Sequence, residues 1–171
     1  MVKNRILVVG STAFDLLFHH EGAFPDALAH QDLEHLSVSY LTPHFARHHG
    51  GTAANIAWNI RLLGGSPTML STVGSDGAEY LHLLSDRGID TTFIDRVSDR
   101  VTAMAIIATD SAERQITFFH SGADGVGKLP DISSLQHDAS MSIISPRNPV
   151  LMLQAAQDFS SRKIPYLFDP G

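Results

Sequence analysis

The stretch Ile6-Leu7-Val8-Val9-Gly10 decides which fold class we expect for this chain. A continuous apolar run that is rich in β-branched residues and ends at a glycine is typical of a strand buried on both faces of a sheet. Similar short runs recur at residues 69–73, 141–144 and 164–168, each near a glycine or a proline. The sequence therefore predicts a sheet built from several short, buried strands.

Helical patterns lie between these runs. Apolar residues recur at three- and four-residue spacing over residues 53–63, with Thr52 as the expected N-cap and Gly64 as the expected stop. Two more helices are expected at residues 78–87 and 149–161, the second with a proline in its first turn. Strands that alternate with helices predict an α/β fold with a doubly wound parallel sheet.

Two segments interrupt this alternation. Residues 16–49 lack a helical stripe and contain one alternating piece, residues 36–40, that suits a half-exposed strand. Residues 102–109 and 115–120 are strand-like runs joined by a short polar turn, which predicts a hairpin. We interpret both segments as parts of a small β layer outside the main sheet.

The expected domain organisation follows from these patterns. We treat residues 1–171 as one α/β domain, in which residues 16–49 and 100–121 contribute the β layer. A layer inserted after the first strand is expected near the carboxyl ends of the strands, where α/β sheets bind their ligands.

The composition excludes several classes of protein. The formal net charge is −6 and no run of Lys or Arg occurs, so the electrostatic footprint of a nucleic-acid-binding protein is missing. The absence of cysteine excludes disulfides and thiolate chemistry and fits a reducing compartment. The N-terminal apolar run is too short for a signal sequence or a membrane span, so we expect a cytoplasmic protein without a membrane partner.

Asp15 is the first candidate for a ligand-binding residue. It lies shortly after the first predicted strand, where a side chain would point into the ligand crevice of an α/β sheet. The two oxygens of a carboxylate can accept two hydrogen bonds from a vicinal diol. The alternative interpretation of Asp15 is a solvated turn residue.

The second candidate is the stretch Gly50-Gly51-Thr52-Ala53-Ala54-Asn55. Two glycines allow a ligand to approach the backbone, and the free N–H groups of the helix that follows would face the same spot. The Asn55 amide offers both a donor and an acceptor. An ordinary glycine turn before a capped helix is the alternative interpretation.

Other chemistries find less support. The chain has neither a Gly-x-Gly-x-x-Gly dinucleotide motif nor a phosphate-binding Gly-Lys-Ser/Thr loop. Ten histidines are present, but their spacing matches no metal motif, so we expect exposed loop histidines and no metal site. His120 ends a predicted strand of the β layer, and it fits a pocket lining and a plain surface position equally well.

Several motifs in their order along the chain resemble the N-terminal signature of the PfkB/ribokinase family of carbohydrate kinases. The motifs are Gly50-Gly51-Thr52-Ala53-Ala54-Asn55-Ile56-Ala57, Leu62-Leu63-Gly64-Gly65, Ser71-Thr72-Val73-Gly74-Ser75-Asp76, Arg87-Gly88-Ile89-Asp90, Ser121-Gly122-Ala123-Asp124 and Phe168-Asp169-Pro170-Gly171. Within the family, the details are similar to bacterial adenosine-kinase-like members.

This resemblance implies a ribokinase-like fold with a β lid over a sugar site. It also implies phosphorylation of the primary hydroxyl of a nucleoside, adenosine first, with Mg-ATP as the donor. The residues that match substrate-binding positions of the family are Ser11, Asp15, Gly50, Gly51, Asn55, His120 and Gly122. A homodimer formed through the lid is a further implication.

The chain departs from the family pattern in one respect. The Gly-Ala-Gly-Asp-like loop that supplies the catalytic base and the Asn-x-x-Glu motif are both absent from residues 1–171. By this resemblance we therefore expect an incomplete domain whose C-terminal part is missing. We also expect no catalytic residue here, an ATP site mostly beyond Gly171, and no turnover by this chain alone. A ribokinase- or fructokinase-type sugar kinase and a non-catalytic nucleoside- or sugar-binding fragment stay open as alternatives.

Overall fold

The computed structural model describes residues 5–29, 33–135 and 137–171. Ten strands and four α-helices are found within these ranges. In chain order they are β1 (Arg5–Val9), β2 (Ala13–His19), α1 (Phe24–Leu28), β3 (His44–Gly50), α2 (Thr52–Leu62), β4 (Ser66–Leu70), β5 (Thr72–Gly74), α3 (Ala78–Asp86), β6 (Asp95–Val97), β7 (Ala103–Thr109), β8 (Gln115–His120), β9 (Ala139–Ile144), α4 (Pro149–Ser161) and β10 (Tyr166–Phe168). Two short 3₁₀ helices, Leu33–His35 and Gly122–Gly125, complete the described elements.

The chain divides into two compact units. The first, which we call the core unit, comprises Met1–Ala13, Gly50–Ala103 and Ser121–Gly171 as far as they are described. The second, the β unit, comprises Phe14–His49 and Met104–His120. The predicted β layer spans 16–49 and 100–121, of which residues 30–32 lie outside the described part; that this layer acts as a lid stays a prediction.

The core unit is built around a four-stranded parallel sheet with the order β10-β9-β1-β4. The central strand β1 is buried from Leu7 to Val9, as its continuous apolar run predicted. Leu7 and Val9 join a buried cluster with Met152 and Phe159 of α4, whereas Val8 alternates to the opposite face. The prediction of a parallel α/β sheet is confirmed.

The helices of the core unit begin and end close to their predicted bounds. α4 starts at Pro149, and the Asn148 side chain accepts a hydrogen bond from the Val150 N–H at 3.0 Å. α3 ends before Gly88, whose φ of 73° lies in the left-handed region that favours glycine. Across the described ranges, we find no helix with the length and apolar character needed to cross a membrane.

The predicted strand at residues 69–73 is two strands in the structure. β4 ends at Leu70 beside β1, and β5 begins at Thr72 and pairs in parallel with β6 in a separate two-stranded sheet. Ser71 lies between them and is fully buried, with its Oγ donating to the Gly10 carbonyl at 2.7 Å. The apolar run continues across this break because both strands are buried, so hydrophobicity alone did not reveal it.

The β unit contains a four-stranded sheet with the order β3-β2-β7-β8. β7 and β8 pair antiparallel from Met104↔His120 to Thr109↔Gln115, which confirms the predicted hairpin. The predicted strand at residues 36–40 is wrong, because this segment has no regular secondary structure. Tyr40, at the end of this segment, packs its ring edge-on against the Phe24 ring with the centroids 5.1 Å apart, whereas Leu36 at the other end is 50% exposed.

A fully buried carboxylate, Asp110, closes the β7–β8 turn. One oxygen accepts hydrogen bonds from the backbone N–H groups of Ala112 and Arg114, and the other accepts from the Phe24 N–H and from Nε of Arg114. Burial favours the neutral acid, but these hydrogen bonds outweigh it and lower the pKa of Asp110 from 3.8 to about 2. Asp110 therefore joins the hairpin turn to the start of α1.

We expect Asp110 to make the stability of the chain depend on pH in acid. A carboxyl whose pKa is lowered by folding stabilises the fold above its unfolded pKa, and this contribution is lost as the pH falls from about 4 to about 2. Asp110→Asn should lower the unfolding midpoint at pH 7 and flatten its fall over that window, as measured by thermal melts between pH 2 and 7. Asp26→Asn, an exposed change in the same unit, is the control; an unchanged profile for Asp110→Asn would contradict the prediction.

Candidate functional site

Serines follow three neighbouring strands of the core sheet at their carboxyl ends. Ser11 comes two residues after β1, Ser71 directly after β4, and Ser145 directly after β9. All three are buried. Because the strands are parallel, these hydroxyls lie at one edge of the sheet, the edge at which open α/β sheets bind ligands.

A network of hydroxyls fixes the start of α2 at this edge. Thr52 donates from Oγ1 to the Pro146 carbonyl at 2.9 Å, and Ser145 donates from Oγ to the same Thr52 oxygen at 3.0 Å. Ser11 Oγ accepts a hydrogen bond from the Thr52 N–H at 3.2 Å, and the Ser11 carbonyl accepts one from the Ala53 N–H at 3.0 Å. The helix start is therefore tied to the segments that follow β1 and β9.

These contacts correct two expectations at the helix start. The N-cap of α2 is Gly51, whereas Thr52 is the first helical residue and uses its side chain for the network. The N–H groups of Thr52, Ala53 and Asn55 are hydrogen-bonded within the protein, so the prediction of free donors is wrong for these three residues. The sequence revealed the glycines and the helix. It did not reveal that Ser11, distant in the chain, accepts the hydrogen bond of the first helical N–H group, that of Thr52.

The two glycines before α2 make different contacts within the chain. The buried Gly50 accepts a hydrogen bond on its carbonyl from the Tyr80 hydroxyl at 2.6 Å. Gly51 has a φ of 92°, and a Cβ placed there would lie 2.5 Å from the Ser11 carbonyl oxygen. Glycine is needed at 51 for close backbone contact within the chain, and Asn55 follows on the exposed side of the first turn.

Asp15 lies in the middle of β2, within the β unit, and is half-buried. Burial raises the pKa of its carboxyl, and the nearby His48 imidazole offsets part of this rise. His120 is the exposed last residue of β8. Within the sheet, β7 separates the strands of Asp15 and His120.

Gly122 opens the 3₁₀ helix of the core unit with a φ of 48°. A Cβ at this position would clash with the Val101 carbonyl oxygen and would lie 3.0 Å from the Thr102 carbonyl oxygen. Only glycine fits here, because both the backbone conformation and the space exclude a side chain. The structure thus gathers Ser11, Gly51 and Asn55 at the α2 start, and it places Gly122 on a separate segment of the same unit.

Sequence analysis missed a buried ion pair, Arg147–Asp124. Their side chains are 0% and 5% exposed, and Nη2 of Arg147 lies 2.6 Å from a carboxylate oxygen of Asp124. Burial lowers the pKa of the Arg147 guanidinium, and Asp124 acts against this. A lone arginine three residues after a buried strand, between Pro146 and Asn148, was the sequence signal that could have identified it.

The histidines of the β unit do not form a metal site in the described part of the chain. The His19 and His44 rings lie 6.3 Å apart between centroids, but no three metal-binding side chains come together among the described residues.

Comparison with known proteins gives a consistent set of relatives. Residues 3–162 match the family model described as pfkB family carbohydrate kinase. A nucleoside kinase of Methanothermobacter thermautotrophicus is 37% identical over 120 residues, which are 69% of this chain and 36% of that protein. A nucleoside kinase of Methanocaldococcus jannaschii is 30% identical over 169 residues, covering 98% of this chain and 52% of that protein.

Solved structures agree with these sequence matches. The nucleoside kinase of Burkholderia thailandensis in complex with inosine superposes with a TM-score of 0.78 at 31% identity, over 97% of this chain and 52% of that chain. The structure of the M. jannaschii enzyme, an archaeal member of the ribokinase family, gives a TM-score of 0.81 at 29% identity, over 98% and 52% of the two chains. The present chain thus has a ribokinase-like α/β fold. It spans about half the length of these two solved structures, and its match to the M. thermautotrophicus enzyme covers 36% of that protein.

Proposed function

This chain belongs to the pfkB family of carbohydrate kinases, and we propose that it supplies the acceptor-binding part of a kinase that phosphorylates the primary hydroxyl of a nucleoside. Both curated relatives described above are nucleoside kinases, and the superposed Burkholderia enzyme holds inosine. We propose adenosine as the preferred acceptor, in accordance with the motifs that resemble adenosine-kinase-like members. Mg-ATP is the proposed donor, and we assign no step of its chemistry to residues 1–171.

The observation that supports this proposal most strongly is the start of α2. Gly51 brings the backbone against Ser11 and Ala13, which follow β1, and the hydroxyl network fixes the first turn at the carboxyl edge of the sheet. Asn55 is thereby presented from a rigid helix rather than from a loop, which favours precise recognition of hydroxyl groups.

We assign the following roles within this proposal. The Asp15 carboxylate accepts hydrogen bonds from the two ribose hydroxyls, and its partial burial reduces competition from water for these bonds. Asn55 contributes an amide donor and acceptor. Backbone groups of Gly50 and Gly51 contact the sugar, and Ser11 offers a further polar contact. Gly122 and His120 line the base or the sugar.

An acceptor panel tests the nucleoside assignment. Calorimetric titration of the protein with adenosine, inosine, ribose and fructose should show adenosine binding more than tenfold tighter than ribose, a difference of about 1.4 kcal/mol. Equal or reversed affinities would support the alternative of a ribokinase- or fructokinase-type sugar kinase. With Mg-ATP we expect residues 1–171 alone to bind adenosine without releasing ADP, since no catalytic residue is assigned to them. ADP release by this chain would contradict that expectation and would show that it is an active kinase.

Asp15→Ala is expected to weaken nucleoside binding by tenfold or more, because two charge-assisted hydrogen bonds to the ribose are lost. Asp26→Ala is the matched control, because it removes the same charge from an exposed position of the β unit. Titration calorimetry with adenosine gives both dissociation constants. If the two variants bind as tightly as the unchanged protein, Asp15 is not in the pocket.

We further propose that two copies of the chain associate through β8. This strand lies at an edge of its sheet and all six of its residues are exposed, among them Phe118 (66%) and Phe119 (62%). An exposed apolar edge strand favours pairing with another chain. Phe118→Lys/Phe119→Lys should shift the sedimentation coefficient from dimer to monomer, and a monomer before substitution would refute the idea.

A further inference from the structure

The core unit contains two Arg–Asp ion pairs with the same shortest N–O distance, 2.6 Å, but with different surroundings. Arg5 and Asp90 are about one third exposed and involve the first residue of β1, at the amino end of the sheet. Arg147 and Asp124 are buried, and Arg147 follows β9 at the carboxyl end. The two pairs allow one end of the sheet to be compared with the other.

The guanidinium of Arg147 joins three segments of the core unit. Nη1 donates to the Leu70 carbonyl at the end of β4 at 3.1 Å, and Nη2 donates to Thr72 Oγ1 at the start of β5 at 2.9 Å. Nη2 also donates to Asp124 in the 3₁₀ helix that begins at Gly122. Arg147 therefore ties the segment that carries Gly122 to the carboxyl ends of the strands.

Asp124 also connects the 3₁₀ helix to the segment between β9 and α4. Its other carboxylate oxygen accepts a hydrogen bond from the Asn148 N–H at 3.1 Å, just before α4. The Asn148 amide in turn donates to the Gly125 carbonyl at 3.3 Å. Arg147 and Asn148 are thus hydrogen-bonded to both Asp124 and Gly125 of the 3₁₀ helix, Arg147 to the first and Asn148 to each of them. These bonds leave the 3₁₀ helix little freedom to shift.

Stability alone is a poor explanation for this arrangement. Breaking a buried ion pair costs much, but an apolar pair of similar volume is often at least as stable, because desolvation of two charges offsets their attraction. Nε of Arg147 is moreover buried without a hydrogen-bond partner among the described residues. What the ion pair provides and an apolar pair does not is a set of directed hydrogen bonds to three segments.

We propose that Arg147 is a positioning residue for the acceptor site: acting through Asp124, it sets the place of the Gly122–Gly125 helix at the carboxyl edge of the sheet, and thereby the place of Gly122 against the nucleoside. This inference rests on the proposed function for its ligand. The contact between the Gly122–Gly125 helix and Arg147 lies wholly inside the core unit.

The test compares three variants of the protein. Arg147→Met leaves Asp124 buried without its partner, Arg147→Met/Asp124→Leu removes both charges, and Arg5→Met breaks the pair at the other end of the sheet. Adenosine affinity is measured by titration calorimetry, stability by urea unfolding, and the order of the 3₁₀ helix by hydrogen exchange of the amides of residues 122–126.

We expect the double variant to recover stability but to bind adenosine at least tenfold more weakly than the unchanged protein, because the directed hydrogen bonds are still missing. Arg5→Met should lose stability and keep its affinity. Exchange at residues 122–126 should be at least tenfold faster in both Arg147 variants than in Arg5→Met.

The outcomes separate this inference from the proposed function. A double variant that binds adenosine normally overturns the positioning role, and so does unchanged exchange at residues 122–126 in the Arg147 variants. If the unchanged protein binds no nucleoside, the proposed function fails; faster exchange in the Arg147 variants then still supports the control of the Gly122 segment by Arg147, and unchanged exchange refutes it.

Discussion

Arg147→Met is expected to lower the free energy of unfolding by about 3–5 kcal/mol, because it leaves the Asp124 carboxylate buried without its cation. The hydrogen bonds to the Leu70 carbonyl and to Thr72 are lost at the same time. Urea unfolding at pH 7, followed by circular dichroism, measures this loss.

Arg5→Met is the matched control for that measurement. Its pair is about one third exposed, so water screens the charge left on Asp90 and the expected loss is only about 1 kcal/mol. Arg147→Met/Asp124→Leu should regain most of the stability, since no uncompensated charge remains. A loss below about 1 kcal/mol for Arg147→Met would show that the carboxylate is not confined as the structure has it.

Gly51→Ala is the second substitution with a large expected effect. A φ of 92° costs a residue with a side chain about 1–3 kcal/mol. The added Cβ would also lie 2.5 Å from the Ser11 carbonyl oxygen and 2.7 Å from the Ala13 nitrogen, and relief of this overlap costs about 1–3 kcal/mol more. Both contacts are with backbone, so no side chain can turn away to make room.

Gly64→Ala separates the two causes. Gly64 has a φ of 84°, but a Cβ placed there meets nothing within 4 Å. It should therefore cost only the conformational part, about 1–2 kcal/mol. Unfolding of both variants in urea gives the difference, and equal losses would mean that the chain near Ser11 relaxes freely around the new methyl group.

Family and fold class were accessible from the sequence. The PfkB/ribokinase resemblance stated from the motifs is confirmed by the match over residues 3–162. The parallel sheet, the helix at residues 149–161 and the β7–β8 hairpin were also predicted correctly. These features are encoded locally, since apolar periodicity, glycine stops and turn residues act over a few neighbouring positions.

The errors share a physical cause. The run at residues 69–73 keeps one apolar pattern across two strands, because the residues on both sides of Ser71 are buried in different sheets. The segment at residues 36–40 alternates like a strand but has no regular secondary structure, although the Tyr40 ring is packed against the Phe24 ring. Hydrophobicity reports burial, and burial does not say which neighbour a residue is buried against.

By itself, the sequence determined the succession of strands and helices, the glycines that end them and the family to which they belong, since each depends on neighbouring residues. Only the tertiary structure decided that Ser11 and Ser145 fix the start of α2, and that Arg147 meets Asp124. These partners lie between 23 and 93 positions apart in the chain. Such hydrogen bonds form only after the sheet has brought its carboxyl ends together, and no local pattern of residues specifies them.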